Sequence, residues 1–129
     1  MRLLSLWFAA VLCMTAGLVA QTRDQTRQSP SECEDTVTTA AMRSCESVRY
    51  ETAQRELRVA YQELMEHLDA SQKEKLRTTQ DAWLRYRDAN ADFQASLAKG
   101  GTLAPLIKIS SLTEMTTART VELRKEAMP

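Results

Sequence analysis

Apolar positions recur at helical spacing along three stretches of the chain, with polar residues on the intervening faces. The clearest stretch is Ser71 to Leu97. Leu76, Trp83, Asn90 and Leu97 return every seven residues, with Thr79 or Gln80, Tyr86 or Arg87, and Phe93 between them. That spacing lays one stripe along a helix. Ser71 and Glu74 have the spacing of a capping box, in which each side chain satisfies the other's free backbone N–H. Gly100-Gly101 ends the pattern, because glycine tolerates a left-handed stop.

A second helix is predicted over about Glu46 to Leu68. Val48, Leu57, Leu64 and Leu68, with Tyr50, Ala53, Ala60 and Tyr61, form one broad apolar face. The short link at Asp69-Ala70 makes these two helices antiparallel neighbours. A third helix follows the glycines, capped by Thr102 with Pro105 in its first turn, where a missing N–H matters little. Leu106, Ile109, Leu112, Thr116, Arg119 and Leu123 carry its stripe, and Arg124 and Lys125 suit the negative end of the dipole. The spacing from Ser111 to Glu114 is that of a second cap and marks a possible break near Ser110. No strand-length alternation occurs. The pattern predicts an all-α fold: a small antiparallel bundle of three long helices with a short N-terminal helical segment over Val37–Met42.

The start of the chain belongs to a different class of segment. Arg2 is followed by a nearly unbroken apolar run, Leu3 to Val19, with Ala20 or Gly17 as the last residue before a cleavage site. Residues 1–20 therefore read as a secretory signal peptide, and the only expected membrane contact is transient, through that segment. Residues 21–32 read as a disordered leader, being almost free of apolar side chains. Residues 33–127 form the helical domain. Arg2 is the only charge in the first 20 residues of a chain of net charge 0, so the remainder carries net −1. That balance and the expected export exclude nucleic acid as a partner.

Export also bears on the cysteines. Cys33 and Cys45 are the two beyond the signal segment, and an oxidising compartment favours a disulfide between them. Twelve residues of straight helix would hold them about 18 Å apart. A disulfide needs Cα atoms within about 7 Å. The segment between them is therefore expected to turn, with the short helical piece over Val37–Met42 folding back on the next helix.

Catalytic and metal chemistry find little footing. Glu63-x-x-Glu66-His67 contains the Glu-x-x-His of a di-iron site, but that site needs the motif twice and the chain has one histidine. A Cys–His nucleophile needs the thiol that a disulfide consumes. Glycine-rich phosphate loops and zinc-type Cys/His spacings are lacking. Asp88 and Asp92, one helical turn apart, read as a solvated face. No catalytic residue, no metal ligand and no cofactor is expected. The unusual residues are two arginines on apolar faces, Arg87 and Arg119. Glu56, Asp88 and Glu114 are their candidate partners, since a buried guanidinium must be paired. Two readings stand: an internal polar core of Trp83, Tyr86, Arg87, Asp88 and Arg119 that fixes helix register, or a patch of these residues at a partner interface, where such residue types are enriched.

Taken in order, Cys33, Met42-x-x-Cys45, Tyr50-x-x-Ala53, Leu57-x-x-x-Tyr61, Gln80-x-x-Trp83-x-x-Tyr86-Arg87-Asp88-Ala89, Gly100-Gly101 and Thr116-x-x-Arg119-x-x-x-Leu123 resemble the LprI-type lysozyme-inhibitor domain of bacterial envelope proteins. The resemblance covers about residues 33 to 124. It implies a helical, exported, non-catalytic protein of the periplasm or the exterior, a monomer or weak homodimer, that binds lysozyme or another peptidoglycan hydrolase and blocks its cleft. Such enzymes are commonly basic, which draws attention to Glu63, Glu66 and Asp69. The alternative is a periplasmic scaffold or accessory helical module, or an immunity factor for a secreted hydrolase. The chain departs from the pattern twice. A second cysteine pair found in family members is replaced by Ala91 and Ser111. Two polar positions of the first long helix, usually Asp and Asn, are Gln54 and Arg58.

Overall fold

The computed structural model describes residues 38–128. The expected signal peptide, the leader, Cys33 and the first residue of the expected N-terminal turn lie outside them. The described residues fold into three helices and no strand: α1 (Thr39–His67), α2 (Ala70–Ser96) and α3 (Ala104–Ala127). Cross-helix pairs fix the directions. Arg87 meets Thr116, and Asn90 meets Ser111, so α2 and α3 are antiparallel. Thr113 and Thr117 lie beside Cys45, Val48 and Thr52, and Arg124 further along faces Glu56, so α1 and α3 run the same way.

The N-terminal piece differs from expectation. Residues 39–42 are not a separate segment; they form the first turn of α1, which runs unbroken through Cys45 to His67. Thr38 is the reason. Its side chain accepts from the Ala41 N–H at 3.2 Å, and its backbone is extended (φ −111°, ψ 145°), so the helix starts there. The bundle is three helices among the described residues.

The α1–α2 turn has its capping box two residues earlier than Ser71–Glu74. The Gln72 N–H donates to Asp69 Oδ1 at 2.8 Å, and the Asp69 N–H donates to Gln72 Oε1 at 2.9 Å. Glu74 instead accepts from Arg77 at 3.2 Å. At the other end, left-handed backbone at Lys99 (φ 50°) and Gly100 (φ 75°) reverses the chain, as the glycine pair implies. The N-cap of α3 is Leu103, which makes no side-chain cap bond, rather than Thr102; Pro105 lies in the first turn as expected. No break occurs at Ser110, where α3 is continuous.

The core is small: Leu57, Ala60, Leu64 and Leu123, with Tyr61, Leu68, Leu76, Trp83 and Ala127 packed around it. Ala53 and Ala60 on α1, and Thr116 and Thr120 on α3, are all buried and all small. They let α3 approach α1 closely. α3 also packs along α2, whereas α1 and α2 meet chiefly through long side chains. Between those two helices runs a groove of about 430 Å³, with Gln54, Arg58 and Gln62 on one side and Gln80, Leu84 and Arg87 on the other. α1 and α2 are thus neighbours joined by a short turn, and each packs most closely on α3.

The stripe of α2 also turns. Leu76 and Trp83 are half-buried, but Phe93 and Leu97 are 58% and 61% exposed. A straight helix drifts about 20° per heptad against a strict seven-residue repeat, so three heptads carry the last position outward. The buried line is instead Gln80, Arg87 and Ala91.

Candidate functional site: an arginine and tryptophan layer

Trp83 stands at the centre of a polar layer that crosses all three helices. The Arg87 guanidinium, one turn along α2, lies 5.4 Å from the Trp83 ring centroid, and that of Arg119 on α3 lies 5.9 Å from it. Arg87 is also 5.8 Å from the Tyr50 ring on α1. Cations over aromatic faces are attracted by the ring quadrupole, more so where water is excluded.

Each guanidinium is also tied by hydrogen bonds. Arg87 Nε and Nη2 donate to Asp88 Oδ1 at 2.9 and 2.7 Å, and its Nη1 reaches Thr116 Oγ1 at 3.5 Å. The Thr116 carbonyl in turn accepts from Thr120 Oγ1 at 2.9 Å. Arg119 Nε donates to Gln80 Oε1 at 3.2 Å, and its Nη1 to Glu122 Oε2 at 2.9 Å. The side chains of Arg87 and Arg119 are only 10% and 14% exposed, while Asp88 and Glu122 lie at the rim at 59% and 61%. Each cation therefore threads its stem through the apolar layer and pairs near water. Among the described residues, no buried side-chain nitrogen or oxygen lacks a partner.

Of the residues expected here, Trp83, Arg87, Asp88 and Arg119 come together. Tyr86 does not: it is 62% exposed and faces away from the bundle. Asp88 is the partner of Arg87, but Glu56 pairs with Arg124 at 3.8 Å and Arg119 uses Glu122. Glu122 sits three residues beyond Arg119, a helical ion-pair spacing visible in the sequence. Gln80, Thr116 and Tyr50 complete the layer as neutral groups.

The arrangement is built to hold. It contains no activated nucleophile and no carboxylate pair aimed into a cavity. Among the described residues there is no cluster of three or more His, Cys, Asp or Glu side chains that would hold a metal, and no helix long and apolar enough to cross a membrane. Asn90 Nδ2 extends the polar contacts toward the glycine turn, donating to Ser111 Oγ at 3.4 Å and approaching Met115 Sδ at 3.2 Å.

The residues of this layer are the ones on which the sequence pattern rests, and the family described as Lysozyme inhibitor LprI matches residues 31–123. The chain belongs to the LprI family. A curated relative is an uncharacterized protein, R02472, of Rhizobium meliloti (strain 1021), 28% identical over 128 residues that cover 89% of this chain and 88% of that one. No solved structure matches. Within the LprI fold, Ala91 is fully buried on α2, and the neighbouring Asn90 bonds Ser111 on α3. The two positions that depart from the family's second cysteine pair thus lie where these helices face each other. Gln54 and Arg58, the other departures, line the α1–α2 groove.

Proposed function

We propose that this protein is an exported, non-catalytic inhibitor of lysozyme or a related peptidoglycan hydrolase, acting by blocking the enzyme's cleft. The observation that carries the reading is the LprI match over residues 31–123. In this reading the arginine–tryptophan layer is scaffolding: Arg87 and Arg119 are too buried and too fully paired to greet a partner. Contact falls to the α1–α2 end. There Glu63, Glu66 and Asp69 are exposed, and the reciprocal Asp69–Gln72 cap stiffens the turn between them. A rigid projection that carries three exposed carboxylates, next to Lys73 and Lys75, can meet cations at the rim of a basic enzyme's concave sugar site. Residues 1–20 act as the signal peptide and 21–32 as the leader, delivering residues 33–127 to the periplasm or beyond. A Cys33–Cys45 disulfide then fastens the chain that precedes Thr38 to α1; the burial of Cys45 and the extended backbone of Thr38 support it.

The test is lysis of a peptidoglycan suspension by lysozymes of several classes, with and without the purified, oxidised protein. Dose-dependent inhibition near equal stoichiometry is expected for at least one class, weakened by Glu63→Lys with Glu66→Lys. Unchanged lysis by every class overturns the lysozyme reading.

A further inference from the structure

α2 has a second apolar face that the bundle leaves uncovered. Ala82, Tyr86, Ala89 and Phe93 follow one another at intervals of four, three and four residues, and Leu97 continues the line. All five are exposed, Tyr86 at 62%, Phe93 at 58% and Leu97 at 61%. Phe93 is one of only two phenylalanines in the chain, and it is spent on water. The opposite side of the same helix is already engaged through Gln80, Arg87 and Ala91. The intervals are those of a coiled-coil seam, d-a-d-a, with small alanines at d and aromatics at a.

The charges beside the seam say what fits it. Arg85 and Asp92 are exposed and occupy the same flanking position, g, in successive heptads. The other flank carries Trp83 and Asn90, with no charge at all. A parallel pair sets one flank against the other and finds no ion pair. An antiparallel pair sets like flank against like and brings Arg85 of each helix to Asp92 of its mate. The same reversal places Tyr86 opposite Ala89 and Ala82 opposite Phe93, large against small, about nearly the same centre near residue 88. The pattern is complementary to itself. Asp92 also meets Lys108 through one oxygen, and its side chain remains 62% exposed.

We infer that the Ala82–Phe93 face of α2 is a homodimer interface, an antiparallel pairing of two copies of this chain about an axis near residue 88. The seam from Ala82 to Leu97 is about 22 Å long at 1.5 Å per residue. A single helix–helix contact of that length lies at the small end of specific interfaces, so the dimer is reversible and concentration-dependent.

Sedimentation velocity over a wide concentration range tests this, on protein purified after export under its own N-terminal segment. A reversible monomer–dimer equilibrium is expected. Phe93→Glu raises the dissociation constant by about tenfold or more, as loss of an aromatic anchor does, and leaves helix content and the melting point of the dilute monomer unchanged. Arg85→Glu and Asp92→Lys each weaken the homodimer, and mixing these two variants restores association, because the swapped charges then attract only in the antiparallel pair. A monomer at every concentration overturns the proposal. So does a dimer indifferent to Phe93→Glu, or one that mixing fails to restore. If the protein is a monomer and Phe93→Glu abolishes hydrolase inhibition instead, the face belongs to the enzyme and the homodimer is refuted.

Discussion

Arg87 and Trp83, four residues apart on α2, are stacked with 5.4 Å between guanidinium carbon and ring centroid. The contact makes a charged residue part of the packing. Arg119 repeats it from α3 at 5.9 Å, so one indole is shared by two cations from two helices.

Trp83→Ala removes the largest ring packed on the core and both cation contacts. It is expected to cost about 3–5 kcal/mol in denaturant unfolding. If stability were unchanged and binding disappeared, Trp83 would be an interface residue.

Arg87→Lys keeps the charge but loses the planar fork and the stacking on Tyr50 and Trp83. A loss of about 1–2 kcal/mol is expected. Asp88→Asn, at a carboxylate 59% exposed, should cost less than about 1 kcal/mol. Equal losses in the two variants would show that the ion pair, not the stacking, dominates.

Asp69→Ala breaks the reciprocal cap of α2 and should lower stability by about 1 kcal/mol. Ser71→Ala, one residue inside the helix, should leave the unfolding midpoint where it is. The reverse order would restore Ser71–Glu74 as the cap.

Lys108 on α3 is ion-paired with Asp92 on α2. The hydrogen bond that Lys108 donates to Asp92, then the charge of Asp92, and more weakly the charge of Asp88, outweigh desolvation and hold the Lys108 ammonium above its ordinary value of 10.5. A raised lysine value in the folded state means stability fully present below 10.5 and lost as pH rises through the raised value. Melting points measured across alkaline pH should show this loss, and Asp92→Asn should remove it. An identical alkaline profile in that variant would exclude the pair as its source.

Peptide mapping without reduction should recover Cys33 and Cys45 linked. Recovery of both residues as alkylated thiols would rule the bond out.

Much of this architecture is legible in the sequence because its helices are long. α2 was bounded to within a residue by periodicity and the glycine pair, and the buried positions of α1 follow its apolar face. Finer choices turn on angles that a repeat does not fix. Tyr86 and Arg87 are adjacent and about 100° apart around the helix. Apolar character favours burying the tyrosine, yet Arg87 lies in line with Gln80 and Ala91, so the arginine goes inside and the tyrosine out. Leu97 left the core by accumulated drift. Two capping boxes competed for one turn, and the earlier one, at Asp69, took it. Arg119 pairs with Glu122, three residues along its own helix, rather than with Glu56, Asp88 or Glu114.

The place of α3 between the other two helices has a consequence for when this chain can fold. α1 and α2 emerge first from the ribosome, but they share little close packing of their own. Leu123, Thr116 and Thr120, which close the core, lie in the last quarter of the sequence. Until α3 has emerged, the earlier helices share only long side-chain contacts, those of Leu76 and Trp83 at the core and of Arg87 over Tyr50. Tertiary packing therefore has to wait for α3, whose residues close the core against α1 and, through Thr116 and Arg119, against α2.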